Sequence, residues 1–377
     1  MVVPLSRIQR LDAFTIEVPQ NAPVAPYRSR YVSTCSTGAL LVRIVSDQGL
    51  VGWGEAPQVM AFHGAEPLTA KIVESLRPQL VGLDVDSIDR IYDELELGGD
   101  RIQSAVEMAI WDLIGKERSL PVWTLLGKQQ RRWVEVAACM GIESPREAAN
   151  KAEQYLRAGF QTLKIKGGRS PSEDIAIVRS IRDAVGHDLA LRLDPNTAYD
   201  FETAFELAKA LEPFKLQYLE QPMAESAIAE SARLRKLTST PLALNESVTS
   251  FQSVEKILDV AAAEVLLPDT QQCGGIRAVK RIVDHAAAAN VECVFHCAHD
   301  FGLKTAAMLQ VTACSPNMRL ANDTTYYGLV SDIIRERFRI TAGRMRIPTA
   351  PGLGVTVDPE LVQRYVRTSS VDPREIP

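Results

Sequence analysis

The chain has 377 residues, 46% of them hydrophobic and 24% charged, the makeup of a soluble globular protein able to bury a large core. Its 42 basic and 47 acidic residues give a formal charge of −5, which speaks against a general binder of nucleic acid or of anionic membrane surfaces. No apolar run approaches the roughly 18 residues needed to span a bilayer. The opening stretch MVVPLSRIQRLDAFTIEV lacks the basic start, apolar run and small-residue cleavage site of a signal peptide. Cys35, Cys139, Cys273, Cys293, Cys297 and Cys314 form no CxxC pair and read as free thiols. The expectation is a cytoplasmic protein that engages neither nucleic acid nor membrane.

In chain order, residues 1–125 open with alternating segments, LDAFTIEV and ALLVRIVSDQGLVGWGEA, in which Asp47-Gln48-Gly49 predicts a hairpin turn. A helical stretch, RIQSAVEMAIWDLIGKER, follows, so this part reads as an α+β domain. From Arg132 one event repeats: a short β-rich run ends in a polar or catalytic-type residue, and a helix-like stretch comes after it. The runs end at Met140, Lys166, Asp194, Glu220, Asn245, Asp269, His296 and Asp323, about 24 to 28 residues apart. Regular strand–helix alternation implies parallel strands, and about eight such units imply a closed (β/α)8 barrel over residues 126–328. An open doubly wound sheet would want a glycine-rich phosphate loop after its first strand, and there is none there; Gly352-Leu353-Gly354 comes after the repeats and reads as a turn. Residues 329–377 are strand- and turn-like and are expected to return to the first domain, because a closed barrel has no edge for extra strands.

Barrel active sites are built from the C-terminal ends of the strands, so the end-residues converge on one mouth. Asp194, Glu220 and Asn245, from three successive strands, supply oxygen donors that suit Mg2+. Lys164 and Lys166, two apart on one strand, point to the same face, and two adjacent ammonium groups depress each other's pKa, which can make one a base near neutral pH. Asp269 and His296, on strands six and seven, form a carboxylate–imidazole pair able to act as a second acid or base. Lys164 and Asn196 are extra donors to a developing enediolate. His187 and His285 have no such context, and His299, just past strand seven, is left open. The chemistry expected is removal of the proton α to a carboxylate held by Mg2+. Return of a proton on the other face gives racemisation, and loss of a β-hydroxyl gives dehydration. A Schiff-base aldolase would leave the three oxygen donors idle, and a non-catalytic small-acid binder would leave both bases idle.

Together these residues resemble the enolase superfamily, in particular its mandelate racemase-like and glucarate dehydratase-like branches. VGWGEA, VEMAIWDLIGK and PVWTLLG resemble its capping domain; LKIKGG, LDPN and LEQP resemble the Lys-x-Lys and first two ligand strands; PDT and the FH pair resemble its Asp–His dyad. The resemblance implies Asn245 as third ligand, as in glucarate dehydratase-like members, with Glu246 beside it as the alternative. NDT at Asn322 to Thr324 favours the same branch, because a mandelate racemase-like enzyme would have Glu on that last strand. Specificity is then expected from capping-domain loops, Asn21 to Tyr31 and Glu55 to Gly64. Arg28, Arg30, His63 and, at strand eight, Asp323 are the candidate substrate contacts. The resemblance also implies a homo-oligomer, a dimer or an octamer. The leading expectation is a Mg2+-dependent acid-sugar dehydratase yielding a 2-keto-3-deoxy acid, with a racemase or epimerase as the alternative.

Overall fold

The computed structural model describes residues 6–58, 68–88, 92 and 100–375. In the N-terminal part, strands β1 (Ile8–Pro19), β4 (Ser36–Ser46) and β5 (Val51–Pro57) form an antiparallel sheet. The hairpin expected at Asp47-Gln48-Gly49 is present between β4 and β5, with Gly49 at φ 80° and its N–H on the Ser46 carbonyl. A small hairpin, β2 (Tyr27–Arg28) and β3 (Ser33–Thr34), lies between β1 and β4. Helices Ala70–Leu80 and Asp100–Glu117 pack on one face of the sheet over Leu11, Leu40, Val42 and Ile44. The glycines of VGWGEA have a steric cause: a Cβ on Gly54 would sit 1.9 Å from the Ala105 carbonyl oxygen, so only glycine lets the long helix lie directly on β5.

Eight parallel strands follow: β6 (Trp133–Met140), β7 (Thr162–Lys166), β8 (Ala190–Asp194), β9 (Tyr218–Glu220), β10 (Leu242–Leu244), β11 (Val265–Leu266), β12 (Glu292–Cys293) and β13 (Asn322–Thr324). They pair in sequence order, and β13 pairs β6. Between β12 and β13 the ring is joined by the Asp323 N–H on the Phe295 carbonyl at 3.3 Å and the Phe295 N–H on Asn322 Oδ1 at 2.8 Å. This is a (β/α)8-type barrel with an N-terminal α+β capping domain. Outward Leu163, Ile165, Leu191, Leu193, Leu219 and Leu244 join the core beneath the helices, whereas Tyr218, Ala243, Val265, Leu267 and Val294 form a separate apolar cluster. Several helices start where their sequence says: Ser144 with Glu147 closes a capping box before Pro145–Arg157, and Ser170 and Asp200 cap the next two.

Two departures from the sequence expectation have local causes. No long helix follows the eighth strand directly; the short turn Tyr326–Gly328 leads into coil and β14 (Arg344–Arg346). β14 then pairs antiparallel with Trp133–Glu135, because β7 and β13 engage only residues 136–140 of β6 and leave its first residues with a free edge. Part of the tail thus stays on the barrel. The last strand, β15 (Val366–Ser369), joins the N-terminal sheet beside β1.

Buried glutamic acid side chains of the capping domain tie it to the barrel. Glu55 of β5 accepts the N–H groups of Phe301 and Lys304 at the start of helix Gly302–Ala313, and Glu107 accepts those of Ile276 and Arg277 at the start of Ile276–Ala288. Each offers its carboxyl oxygens to orphan N–H groups in the first turn of a helix. Among the described residues no helix is long and apolar enough to cross a membrane.

Candidate active site

Alternation along the strands decides which side chains enter the barrel. Lys164 and Lys166 of β7 lie in register with Arg192 and Asp194 of β8, and all four point inward. Lys164 Nζ lies 2.6 Å from Glu220 Oε1, 3.0 Å from Asp323 Oδ2 and 3.2 Å from Asp194 Oδ2. Lys166 bonds to Asp194 Oδ2, and Arg192 Nη1 holds the other Asp323 oxygen at 2.8 Å while its guanidinium covers the Tyr218 ring. All of these groups are buried.

This arrangement corrects one expectation. Mutual repulsion was to lower the lysine pKa values; burial does pull Lys164 down, but Asp323, Glu220 and Asp194 hold it well above the ordinary lysine range. Lys164 is a fixed cation. Burial works against ionised Asp194 as well, yet Lys166 and Lys164 keep its carboxyl well below the usual range. Glu220 goes the other way, pushed up by burial and by Asp194. Glu246 is raised to about 7, by burial first and Asp194 second.

The oxygen donors form an incomplete set of hydrogen bonds. Glu220 Oε2, Asn245 Oδ1 and Glu246 Oε2 are buried without a partner. Asn245 donates from Nδ2 to the Leu267 carbonyl at 2.8 Å and to Gln272 Oε1 at 3.1 Å, which turns its Oδ1 away from both acceptors. Glu246 Oε1 instead accepts from Asn196 Nδ2 at 3.0 Å, and the Asn196 N–H bonds to Asp194 Oδ1 at 2.9 Å. The described residues hold no ready cluster of three His, Cys, Asp or Glu. The unsatisfied oxygens of Glu220 and Glu246 beside an ionised Asp194, with that of Asn245 at the end of the neighbouring strand, nonetheless suit a hard divalent cation, which takes oxygen ligands from few carboxylates and adds water or substrate.

Across the mouth, His296 Nδ1 lies 3.0 Å from Asp269 Oδ2. Donation from Nδ1 to this carboxylate leaves Nε2 as the acceptor in the neutral ring. Burial, followed by Lys164, lowers the His296 pKa against the opposing pull of Asp269. The imidazole is therefore neutral near pH 7.

A cavity of about 550 Å³ joins the two sides, lined by Lys164, Lys166, Asn196 and His296 and, farther out, by residues of the capping domain such as Tyr27, Tyr31 and Thr37. Candidate substrate contacts fare unevenly. Arg28 pairs with Glu143 at 3.0 Å, Arg30 bonds to the Asn196 carbonyl at 3.1 Å, and neither lines the cavity. Asp323 lies in the barrel interior with both oxygens engaged by Lys164 and Arg192, so it is placed to hold a cation and not to meet substrate. His63 lies outside the described residues. The sequence left His299 open; it lines the cavity, edge-on to Tyr27 at 4.3 Å. Sequence reasoning missed Arg192, although its spacing of two from Asp194 was the available signal, and it missed Lys304, which lies on a helix and not at a strand end.

A two-domain barrel whose mouth gathers a Lys pair, oxygen donors and an Asp–His pair has the architecture of a barrel enzyme with its titratable groups at the C-terminal ends of the strands. A family model described as enolase C-terminal domain-like matches residues 147–361, and one described as the mandelate racemase/muconate lactonizing enzyme N-terminal domain matches residues 12–127. The chain belongs to the enolase superfamily and is one of its Mg2+-dependent lyases or isomerases. It is 32% identical to a probable glucarate dehydratase of Streptomyces coelicolor, covering 86% of this chain and 83% of that protein. It is 29% identical to the L-Ala-D/L-Glu epimerase of Bacillus subtilis, over 93% of this chain and 96% of the epimerase. The structure of the dipeptide epimerase of Enterococcus faecalis with Mg and L-Leu-L-Tyr superposes with a TM-score of 0.86 at 25% identity, over 93% of this chain and 99% of that one. The relatives thus include dehydratases and epimerases at modest identity.

Proposed function

We propose that this enzyme removes the proton α to the carboxylate of an α,β-dihydroxy acid and expels the β-hydroxyl, giving a 2-keto-3-deoxy acid. The observation that carries the reading is that Lys166 and His296, two groups able to move protons, line one cavity, with the imidazole backed by Asp269. Asp194, Glu220 and Asn245 would hold Mg2+, with Glu246 as the alternative third donor. When bound, Mg2+ supplies the positive charge that makes an α-proton removable by so weak a base. Lys164, kept cationic by its carboxylates, and the Asn196 amide are donors for the negative charge that develops on the substrate carboxylate. One of the two groups takes the α-proton. Taken up at Nε2 of the neutral imidazole, that proton passes from the resulting imidazolium, held by Asp269, to the departing hydroxyl, so that water leaves and the electron pair of the broken C–H bond becomes the new C=C bond of an enol, which tautomerises to the ketone. Hydroxyl side chains along the cavity, among them Thr15, Ser29, Ser33, Thr37 and Thr325, fit a polyhydroxylated acid.

Epimerisation is the second reading, because the same pair could remove a proton on one face and return one on the other. Proton NMR in D2O with Mg2+ across mono- and diacid sugars and dipeptides separates them. A 2-keto-3-deoxy signal is expected. Exchange of the α-proton without elimination would replace the first reading with the second, and neither signal from any compound would overturn both.

A further inference from the structure

Lys304 stands on the first turn of helix Gly302–Ala313 with no exposed surface, and its ammonium is not part of the chemistry described so far. It lies 3.0 Å from each oxygen of Asp269 and 2.8 Å from Asp300 Oδ1. Asp269 Oδ2 is also the atom that His296 Nδ1 approaches at 3.0 Å, so an imidazole and an ammonium share one carboxylate. The surroundings hold this arrangement on every side. Asp269 Oδ1 accepts the Gln271 N–H at 3.0 Å, Asp300 Oδ1 accepts the Ala298 N–H at 3.0 Å, and Glu55 of the capping domain accepts the N–H of Lys304 itself at 2.9 Å.

A buried ion pair is a poor source of net stability, because desolvation offsets most of the attraction. A leucine or methionine at this place would pack the helix at no such cost. The location of the pair, directly behind the imidazole, gives it a different use.

We propose that Lys304 is a positioning residue of the reaction: by sharing Asp269 with His296 it clamps the carboxylate toward Nδ1 and offsets its charge, so that the ring presents an unprotonated Nε2 to the substrate. The proposal rests on the reading of His296 as a proton-transfer group. A lone buried carboxylate strengthens an imidazole as a base and favours the imidazolium. A second cation on that carboxylate weakens the effect while leaving the hydrogen bond that fixes the tautomer. The charged and titratable groups that act on His296 directly are Lys164 and Lys166 from β7, Asp323 from β13, Asp269 after β11 and His299 on its own loop, with Lys304 from the helix and Asp300 behind Asp269. Burial and Lys164 lead the downward pull on the ring, and Lys304 acts in the same direction through the carboxylate that opposes them.

The test is a titration of ring-15N-labelled histidine in the Mg2+-saturated enzyme, with the His296 signal assigned by its loss in His296→Asn. Lys304→Met is compared with wild type, and Lys304→Met/Asp300→Asn removes the carboxylate that would otherwise stay buried and unpaired. Lys304→Arg keeps the positive charge. In the neutral variants His296 is expected to bind its proton about tenfold more tightly, and the acid limb of kcat is expected to move to higher pH with KM little changed. Lys304→Arg is expected to stay close to wild type. A His296 midpoint unchanged in folded Lys304→Met or in the double variant would overturn the proposal, and so would a Lys304→Arg midpoint displaced as far as the neutral variants. The titration needs no substrate. Full activity in His296→Asn would sink the functional reading on its own, whatever the titration shows about Lys304.

Discussion

The amide of Asn245 is oriented by what it donates to: with Nδ2 on the Leu267 carbonyl and Gln272, its oxygen has one direction left. A leucine of similar volume would remove that oxygen and leave Asp194 and Glu220 in place. Asn245→Leu should weaken Mg2+ binding roughly 10–100-fold or more, read by calorimetry with the metal alone. Affinity equal to wild type would pass the role to Glu246. Removal of a proton-transfer group has a different signature. Lys166→Ala and His296→Asn should each lower kcat roughly 10²–10⁴-fold with far-UV circular dichroism unchanged. A variant that kept full turnover on the true substrate would end the two-group mechanism. Single residues also mark how far the sequence could be read. The strand-end set Lys166, Asp194, Glu220 and His296 was legible because a barrel sends such positions to one mouth. The roles of Arg28 and Asp323 were not, because they depend on Glu143 and on Lys164 with Arg192, partners 115 and 159 or 131 positions away.

Among the elements, the helix starts were the more readable part and the domain contact the less readable. Ser144-x-x-Glu147 is a local signal, whereas Glu55 meets the N-terminus of a helix 246 residues farther on. Glu55 is a useful reporter of that contact. Burial first and Asp300 second raise its carboxyl from 4.5 to about 8, against the two N–H bonds that favour ionisation. A group whose folded pKa is raised contributes most to stability below its unfolded value and loses that contribution as pH rises through the folded one. Wild type should therefore lose stability relative to Glu55→Gln between about pH 4.5 and pH 8, by on the order of a few kcal/mol. Denaturant unfolding of both proteins at pH 5 and pH 8.5 reads the difference. Parallel behaviour would mean that the two N–H bonds, and not burial, govern this carboxyl.

At the scale of the whole molecule, the chain ends by closing the wall that its beginning opens. β15 pairs with β1 through Phe14 and Ser369, Thr15 and Thr368, and Ile16 and Val366, and the Thr15 and Thr368 hydroxyls bond at 2.6 Å. This pairing brings Arg367 against Glu17 at 3.2 Å, and both line the outer part of the cavity with Ser36, which donates to Glu17 at 2.6 Å. Lys166 and His296 stand instead on the barrel, whereas the strand partner of β15 is β1. A chain ending at residue 365 should thus bind Mg2+ as the full protein does while losing the outer wall of the substrate site. KM should rise about tenfold or more, and kcat at saturation should change much less. Thermal stability should also fall, because β1 would expose one edge of its ladder and the faces of Phe14 and Ile16 that β15 covers. Arg367→Met, which keeps the ladder and removes only the cation, separates these effects: its melting temperature should stay near that of the full protein. If its KM also stayed at the wild-type value, the wall would matter as a scaffold and the charge at its rim would have no part in holding substrate. A kcat that fell with the truncation as far as in Lys166→Ala would show instead that the closing strand sets the geometry of the barrel mouth, and the division of labour between the two halves of the molecule would be wrong.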